Sequence, residues 1–390
     1  MKKTVALFSW IIIFIFLTSC KDVDGNCKMI DVIEAIRTPC NVSFNDIFEL
    51  KECIPLQTSP TCILSSHASI LEITDTDIII RDGDEVYRFN RDGAFTNTIG
   101  VYGHGFSEHG KILSVCCDEV LKTVYILTFD GKIYHYAFNG EYLGKIPIQV
   151  ANNESIRTIY HTSNENIICL IRADYTQGVK IQLRSYELNG NQKKVFDLYN
   201  DNYSVPVSRE SFPIGYRYSD GMKIVLDYDN RLYYYSDSTY VDAIWDTGHL
   251  QPNRSLVEDM KNKNYLLNDK LQILDIKETT SFYFVIAYYN KKYHAFIYDK
   301  CDNKFILSSP NINPKNNNGL KMKDMQNLEI WPIWCKDQIA MSLISPESVK
   351  MNKSLYSQFN IYSIKEDGNP IVFIYKERSA NEQTLNNHEL

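Results

Sequence analysis

Three groups of side chains in this sequence have the donors, acceptors or rings that chemistry needs. His104, Glu108 and His109 lie close together in a glycine-rich stretch. Two imidazoles beside a carboxylate can bind a metal or shuttle protons. The competing reading is a solvated connection whose glycines permit a tight path, and lone clusters of this kind usually are one. Trp331 and Trp334 flank Pro332. Exposed indole faces suit the apolar faces of sugar rings; the competing role is packing between structural units. The ten cysteines follow no zinc-ligand spacing, so a metal set is unknown from sequence. Most read as small buried hydrophobes. Cys53 with Cys62, or Cys27 with Cys40, are candidate disulfides in an oxidising compartment. Arg209, Arg217 and His249 are isolated and carry no pattern. There is no His-Glu-x-x-His, Gly-x-Ser-x-Gly or P-loop.

The thiol with the clearest context is Cys20. Lys2 and Lys3 precede a run from Val5 to Leu17 that is apolar except for Ser9. The run is too short to span a bilayer but suits the core of a signal peptide. It ends in Leu17-Thr18-Ser19-Cys20. This resembles a bacterial lipobox, in which small residues admit the peptidase and the thiol accepts diacylglycerol. The expectation is cleavage after residue 19, lipidation of Cys20, and a mature chain anchored outside the cytoplasm. Lys21-Asp22-Val23-Asp24 partly resembles a surface-export signal, so the periplasmic and cell-surface sides both stay open. Residues 20–43 read as the lipidated Cys and a tether. Met29, Val32, Ile33 and Ile36 sit at helical spacing within it.

The elements that must position these groups are strands. Val86-Tyr-Arg-Phe-Asn-Arg-Asp-Gly93 is an aromatic strand ending in a tight polar turn. Ile133 to Gly140 and Leu183 to Gly190 repeat it, and Leu232 to Asp237, Phe296 to Asp302 and Ile361 to Gly368 are looser copies. A period of roughly 50 residues in an all-β pattern marks a propeller with one blade per repeat. Asp-Gly and Asn-Gly pairs suit hairpin turns that need positive φ. The prediction is all-β: a six-bladed β-propeller of four-stranded antiparallel blades over residues 44–378. Its ring is closed by an N-terminal strand, Ile47 to Leu56, which joins the last blade. In blade one, strands are expected at 70–73, 77–80, 85–90 and 95–99. Residues 254–263 read as a short helix, 308–323 as a long loop, 346–357 as an excursion, and 379–390 as a polar tail.

Bulk properties narrow the function classes. The chain has 390 residues, 23% of them charged and 44% hydrophobic, with 27 Tyr and a net charge of −7. This is an ordinary folded body with a strand-favouring aromatic content. Its acidity disfavours nucleic-acid phosphate, so no nucleic-acid role is expected.

The stretch Val86 to Gly100, followed by Gly103-His-Gly-Phe-Ser-Glu108, resembles the six-bladed β-propeller lipoproteins of Bacteroidetes, which are more distantly similar to NHL-repeat propellers. Phe106 and Ser107 replace that family's usual Pro-Gly. Phe48, Ile54-Pro55-Leu56 and Thr58-Ser59 resemble its opening strand, and Tyr298-Asp299-Lys300 a later turn. The resemblance implies fold and location more than activity.

The expected function is that of a lipid-anchored, extracytoplasmic and non-enzymatic module. It would bind a glycan, a peptide or an envelope protein, as an outer-membrane lipoprotein. No cofactor is predicted, and a divalent cation on the propeller axis stays open. The alternative is a metal-dependent hydrolase or lyase working on that axis. Inward Asp, Glu, Asn or His side chains converging within metal reach would favour it.

Overall fold

The computed structural model describes residues 27–378 apart from 163–165, 176–177, 199–213, 227–228, 237, 252–268, 311, 313–318, 324, 326–327 and 360–366. Six antiparallel sheets form the six blades of a propeller. Blade one comprises Ser69–Ile73, Asp77–Asp82, Glu85–Asn90 and Phe95–Thr98. Blade two comprises Ile112–Asp118, Thr123–Thr128, Ile133–Ala137 and Tyr142–Ile146. Blade three runs from Glu154–Thr162 through Asn166–Tyr175 and Gly178–Tyr186 to Gln192–Asp197. Blade four contains Ile214–Tyr218, Gly221–Val225, Arg231–Tyr235 and Thr239–Asp246. Blade five contains Gln272–Glu278, Phe282–Tyr289, Lys292–Asp299 and Lys304–Pro310.

Blade six takes three strands from the end of the chain, Trp334–Lys336, Ile339–Ile344 and Ile371–Glu377. Its outermost strand is Phe48–Pro55, which pairs antiparallel with Ile371–Glu377 from Phe48 opposite Glu377 to Pro55 opposite Ile371. The ring is therefore closed by the early strand, as its alternating apolar residues foretold. Closure removes two exposed sheet edges.

The strands are continuous apolar runs because each blade is covered on both faces. Ile78, Ile79 and Ile80 are all fully buried. Ile78 and Ile80 pack with Met341, Val372 and Ile374 of blade six, while Ile79 packs with Val124, Ile126 and Tyr134 of blade two. Among the described residues the buried apolar side chains form six clusters, one at each blade–blade interface. The cluster between blades five and six is enlarged by Phe44 and Phe48, and by Val349 and Leu355 from the helices Pro346–Lys350 and Lys353–Gln358. These two helices make up the excursion expected at 346–357.

One expectation is corrected. The tether assignment ends at residue 27, because the chain beyond it lies on the propeller. Lys28–Asp31 adds a fifth, parallel strand to the rim of blade four, and Val32–Arg37 is a helix capped by the Asp31 side chain. Ile30, Val32 and Ala35 are buried in the cluster between blades four and five, so apolar burial overrides the polar appearance of the segment. The third strand of blade six is Ile371–Glu377, and the stretch from Ile361 lies largely outside the described residues. With its fourth strand supplied by the N-terminus, blade six needs no turn after its third strand. Residues 360–366, the helix expected at 254–263 and the tail at 379–390 lie outside the described residues. No helix among the described residues is long and apolar enough to cross a membrane.

Candidate functional site

The glycine-rich connection between blades one and two does not assemble a reactive cluster. Glu108 turns back on its own loop, where its Oε2 accepts from the Gly105 N–H at 2.7 Å. The carboxylate fills the space a Cβ at Gly103 or Gly105 would need, coming within 2.0 and 2.9 Å of those positions. His109 is 1% exposed. Its Nδ1 lies 2.9 Å from the Gly110 carbonyl, and its ring packs edge-on against Tyr102 and Tyr136. His104 points to solvent. The glycines exist to let Glu108 staple the turn, and His109 is a packed core histidine.

The two tryptophans separate. Trp331 is buried between blades five and six, edge-on to Phe284, and its carbonyl accepts from Ser342 Oγ at 2.6 Å. Trp334 is half-buried on the innermost strand of blade six. Its Nε1 donates to the Leu71 carbonyl of blade one at 3.1 Å, joining the two ends of the ring at the axis.

That axis holds a cavity of about 410 Å³ lined by side chains from all six blades. The first strand of each blade faces it, and several of these strands carry a one-residue bulge. Leu71, Leu113, Arg157 and Leu274 are the extra residues at these bulges. Bulges re-aim side chains, and Leu71, Leu113 and Arg157 all reach the cavity wall. Ser114 Oγ and Thr158 Oγ1 form a hydroxyl pair 2.8 Å apart on the adjoining wall.

Charge gathers where the first strands end. Arg217 of blade four reaches across the axis, placing Nη1 3.2 Å from Glu119 Oε1 of blade two and 3.9 Å from Glu72 Oε2 of blade one. The other oxygen of Glu119 is held by Lys336 Nζ of blade six. Burial alone would raise the Glu119 carboxyl, but the Lys336 ammonium and Arg217 guanidinium hold it below its ordinary value. Glu72 is more deeply buried, and desolvation pushes it up to about 7 despite the opposing Lys336 charge. Nearby, His161 Nε2 lies 3.3 Å from Asp118 Oδ2, with its ring stacked on Tyr125. Between blades four and five, Glu278 Oε1 accepts from Lys223 and Lys300, each at 2.8 Å, and Oε2 accepts from the Tyr216 hydroxyl at 2.8 Å.

The thiols on the axis are held in the neutral form. Burial pushes the thiols of Cys116, Cys117 and Cys335 up, so they stay protonated and supply no thiolate nucleophile. The nine described cysteines are free thiols. The candidate disulfides fail because the partners belong to different environments. Cys53 packs between blades five and six, while Cys62 packs between blades six and one. Cys40 Sγ donates instead to the Phe305 carbonyl at 3.6 Å. Among the described residues no three His, Cys, Asp or Glu side chains converge as a metal-ligand group. Cys20 and Arg209 lie outside the described residues.

Of the residues singled out from sequence, only Trp334 lies on the axial wall. Arg217, dismissed as background, is central to it, and Glu72, Glu119 and Lys336 carried no signal of their own. A usable signal did exist. Glu72, Asp118, His161, Arg217, Glu278 and Lys336 fall at or beside the end of each first strand, where a purely structural strand would stay apolar.

A family model described as Domain of unknown function (DUF4934) matches residues 27–376. The solved structure of a Bacteroides fragilis protein described as exported aligns with a TM-score of 0.66 at 16% identity, covering 91% of this chain and 100% of that one. The RRP9 WD40 repeats align at 0.41 with 8% identity, covering 85% of this chain and 100% of that one. YCF48 bound to D1 peptide aligns at 0.36 with 12% identity, covering 69% and 73%. No curated protein matches the sequence.

Proposed function

This chain belongs to the DUF4934 family of Bacteroidetes six-bladed propellers, and from that premise we propose that it is a lipid-anchored, extracytoplasmic binding module whose ligand sits in the axial cavity. The carrying observation is the cavity itself. Six blades contribute to one chamber of about 410 Å³ with mixed polar and apolar walls, a size typical of small-ligand sites. Its carboxylates are matched by Lys and Arg, and its thiols and phenols are held neutral. With Glu119 and Glu278 closed in ion pairs, such a lining favours recognition, and Glu72, pushed up to about 7, is the group through which the hydrolase or lyase alternative would act. A glycan is the ligand class that best suits hydroxyls, a half-buried indole and charged groups together. The experiment is a glycan array probed with the full-length protein. Retention of a defined glycan set supports the reading, and an empty array contradicts it.

The anchor is a separate part of this proposal. Seven residues lie between Cys20 and Lys28, a reach of at most about 28 Å when fully extended. Lys28 starts the strand on the rim of blade four, so the body hangs from its rim, close to the outer-membrane surface. A Cys20→Ala variant is expected in the soluble fraction with the mass of an unlipidated chain. Retention in the membrane fraction would refute the anchor.

A further inference from the structure

A second cavity of about 560 Å³ lies beside the axial one, bounded by Thr74, Arg91, Lys122 and Met341 among others. Trp334 and Lys336 belong to the walls of both. Arg217 borders the axial cavity and Glu119 the second. The partition is therefore the Glu119 carboxylate gripped by Arg217 and Lys336. Building on the binding reading above, we infer that Arg217 and Lys336 form a carboxylate subsite for an acidic sugar, and that Glu119 occupies this subsite in the free protein.

The arrangement differs from a structural ion pair in two respects. First, its members come from blades two, four and six, which are not neighbours, so the bond is not needed to pack one blade on the next. The Glu278 cluster, in contrast, joins adjacent blades four and five. Second, the partition is solvated. The side chains of Glu119, Arg217 and Lys336 are 23%, 28% and 32% exposed, whereas Glu278 and Lys223 are 0% and 3% exposed. A partly wet ion pair exchanges partners at little cost, while a dry one does not. Glu119 sits in the turn that follows the first strand of blade two, next to the exposed Val120 and Leu121, whose N–H groups are held by Asp118 Oδ1, so freeing the subsite requires only rotation of the Glu119 side chain. Its carboxylate already meets the guanidinium at hydrogen-bonding distance, so the subsite fits that group. The Ser114–Thr158 hydroxyl pair and the apolar Leu71, Leu113 and Trp334 surfaces beside it suit a hydroxylated ring.

The test is calorimetric titration of digalacturonate into the full-length protein. Wild type is expected to bind the acid at least about tenfold more tightly than the neutral disaccharide. Because Glu119 competes for its own site, E119Q should bind about tenfold more tightly than wild type. The folded R217M/K336M variant should lose the preference for the acid. Glu72 faces Arg217, Lys336, Glu119 and Cys117. Its ionisation adds a second anion beside Arg217, so affinity should fall from about pH 6 to about pH 8, and E72Q should flatten that fall. Three results would each overturn the assignment. They are no binding by wild type and E119Q, equal binding of acid and neutral sugar, and an E119Q gain seen only with the free carboxylate of a tripeptide. A neutral glycan bound alike by wild type and E119Q would remove this subsite yet leave the axial binding reading standing.

Discussion

Glu278→Ala is expected to destabilise the propeller by about 3–5 kcal/mol, the cost of removing one partner from a fully buried charge cluster. The side chain of Glu278 is 0% exposed and that of Lys223 is 3% exposed. One carboxylate oxygen takes both the Lys223 and Lys300 ammoniums, and the other takes the Tyr216 hydroxyl. Without it, Lys223 keeps Asp242 at 2.8 Å and the Tyr218 ring at 3.9 Å. Lys300 keeps the Thr279 carbonyl at 2.6 Å. Lys223 would then keep one carboxylate while Lys300 would be left with neutral oxygen acceptors only, and water would have to enter between blades four and five. Glu278→Gln preserves volume and one acceptor, so its loss should be smaller, about 1–3 kcal/mol. Urea unfolding of the three proteins measures this directly. A cost below about 1 kcal/mol for the alanine variant would show that the cluster is not what clasps these blades.

Gly93→Ala should be the most costly of the turn substitutions, on the order of 3 kcal/mol. Gly93 has φ +83°, and a Cβ there would lie 2.1 Å from the Pro55 carbonyl oxygen. Pro55 ends the N-terminal strand that closes the ring. The Gly93 carbonyl also accepts from the Gln57 N–H at 2.8 Å. The turn is thus docked on the closing strand. Gly131 is the internal control, since it has φ +80° with nothing within 4 Å of its Cβ position. Gly131→Ala carries the conformational cost alone, about 1 kcal/mol. The difference between the two thermal-unfolding shifts reports the docking. Equal shifts would mean that the seam between blades six and one tolerates displacement.

These two cases show what was legible in the sequence and what was not. The Asx-Gly turn was visible at 93, 140 and 190 as a hairpin signal. The structure adds that each turn touches the preceding blade, Gly140 on the Thr98 carbonyl and Gly190 on the Pro147 carbonyl. Local propensity revealed the turn, while its docking depends on a strand distant in sequence. The closing strand was readable because Phe48, Leu50, Ile54 and Leu56 show an apolar face with no partner nearby. The helix at Val32–Arg37 was legible from its spacing, but its docking was not, because its few apolar residues reach a core only when blades four and five are already formed. The site was least legible. His104, Glu108 and His109 are close in sequence, and sequence proximity favours a local loop staple. Arg217, Glu119 and Lys336 meet only because a closed ring brings blades two, four and six to one axis.

The most direct measurement of the central claim is the glycan array repeated with two folded variants, R217M/K336M on the axis and H104A on the glycine-rich connection. The account predicts that acidic glycans retained by wild type are lost from the axial variant and retained by H104A. Binding that survives R217M/K336M but disappears in H104A would place the ligand on the loop and contradict it.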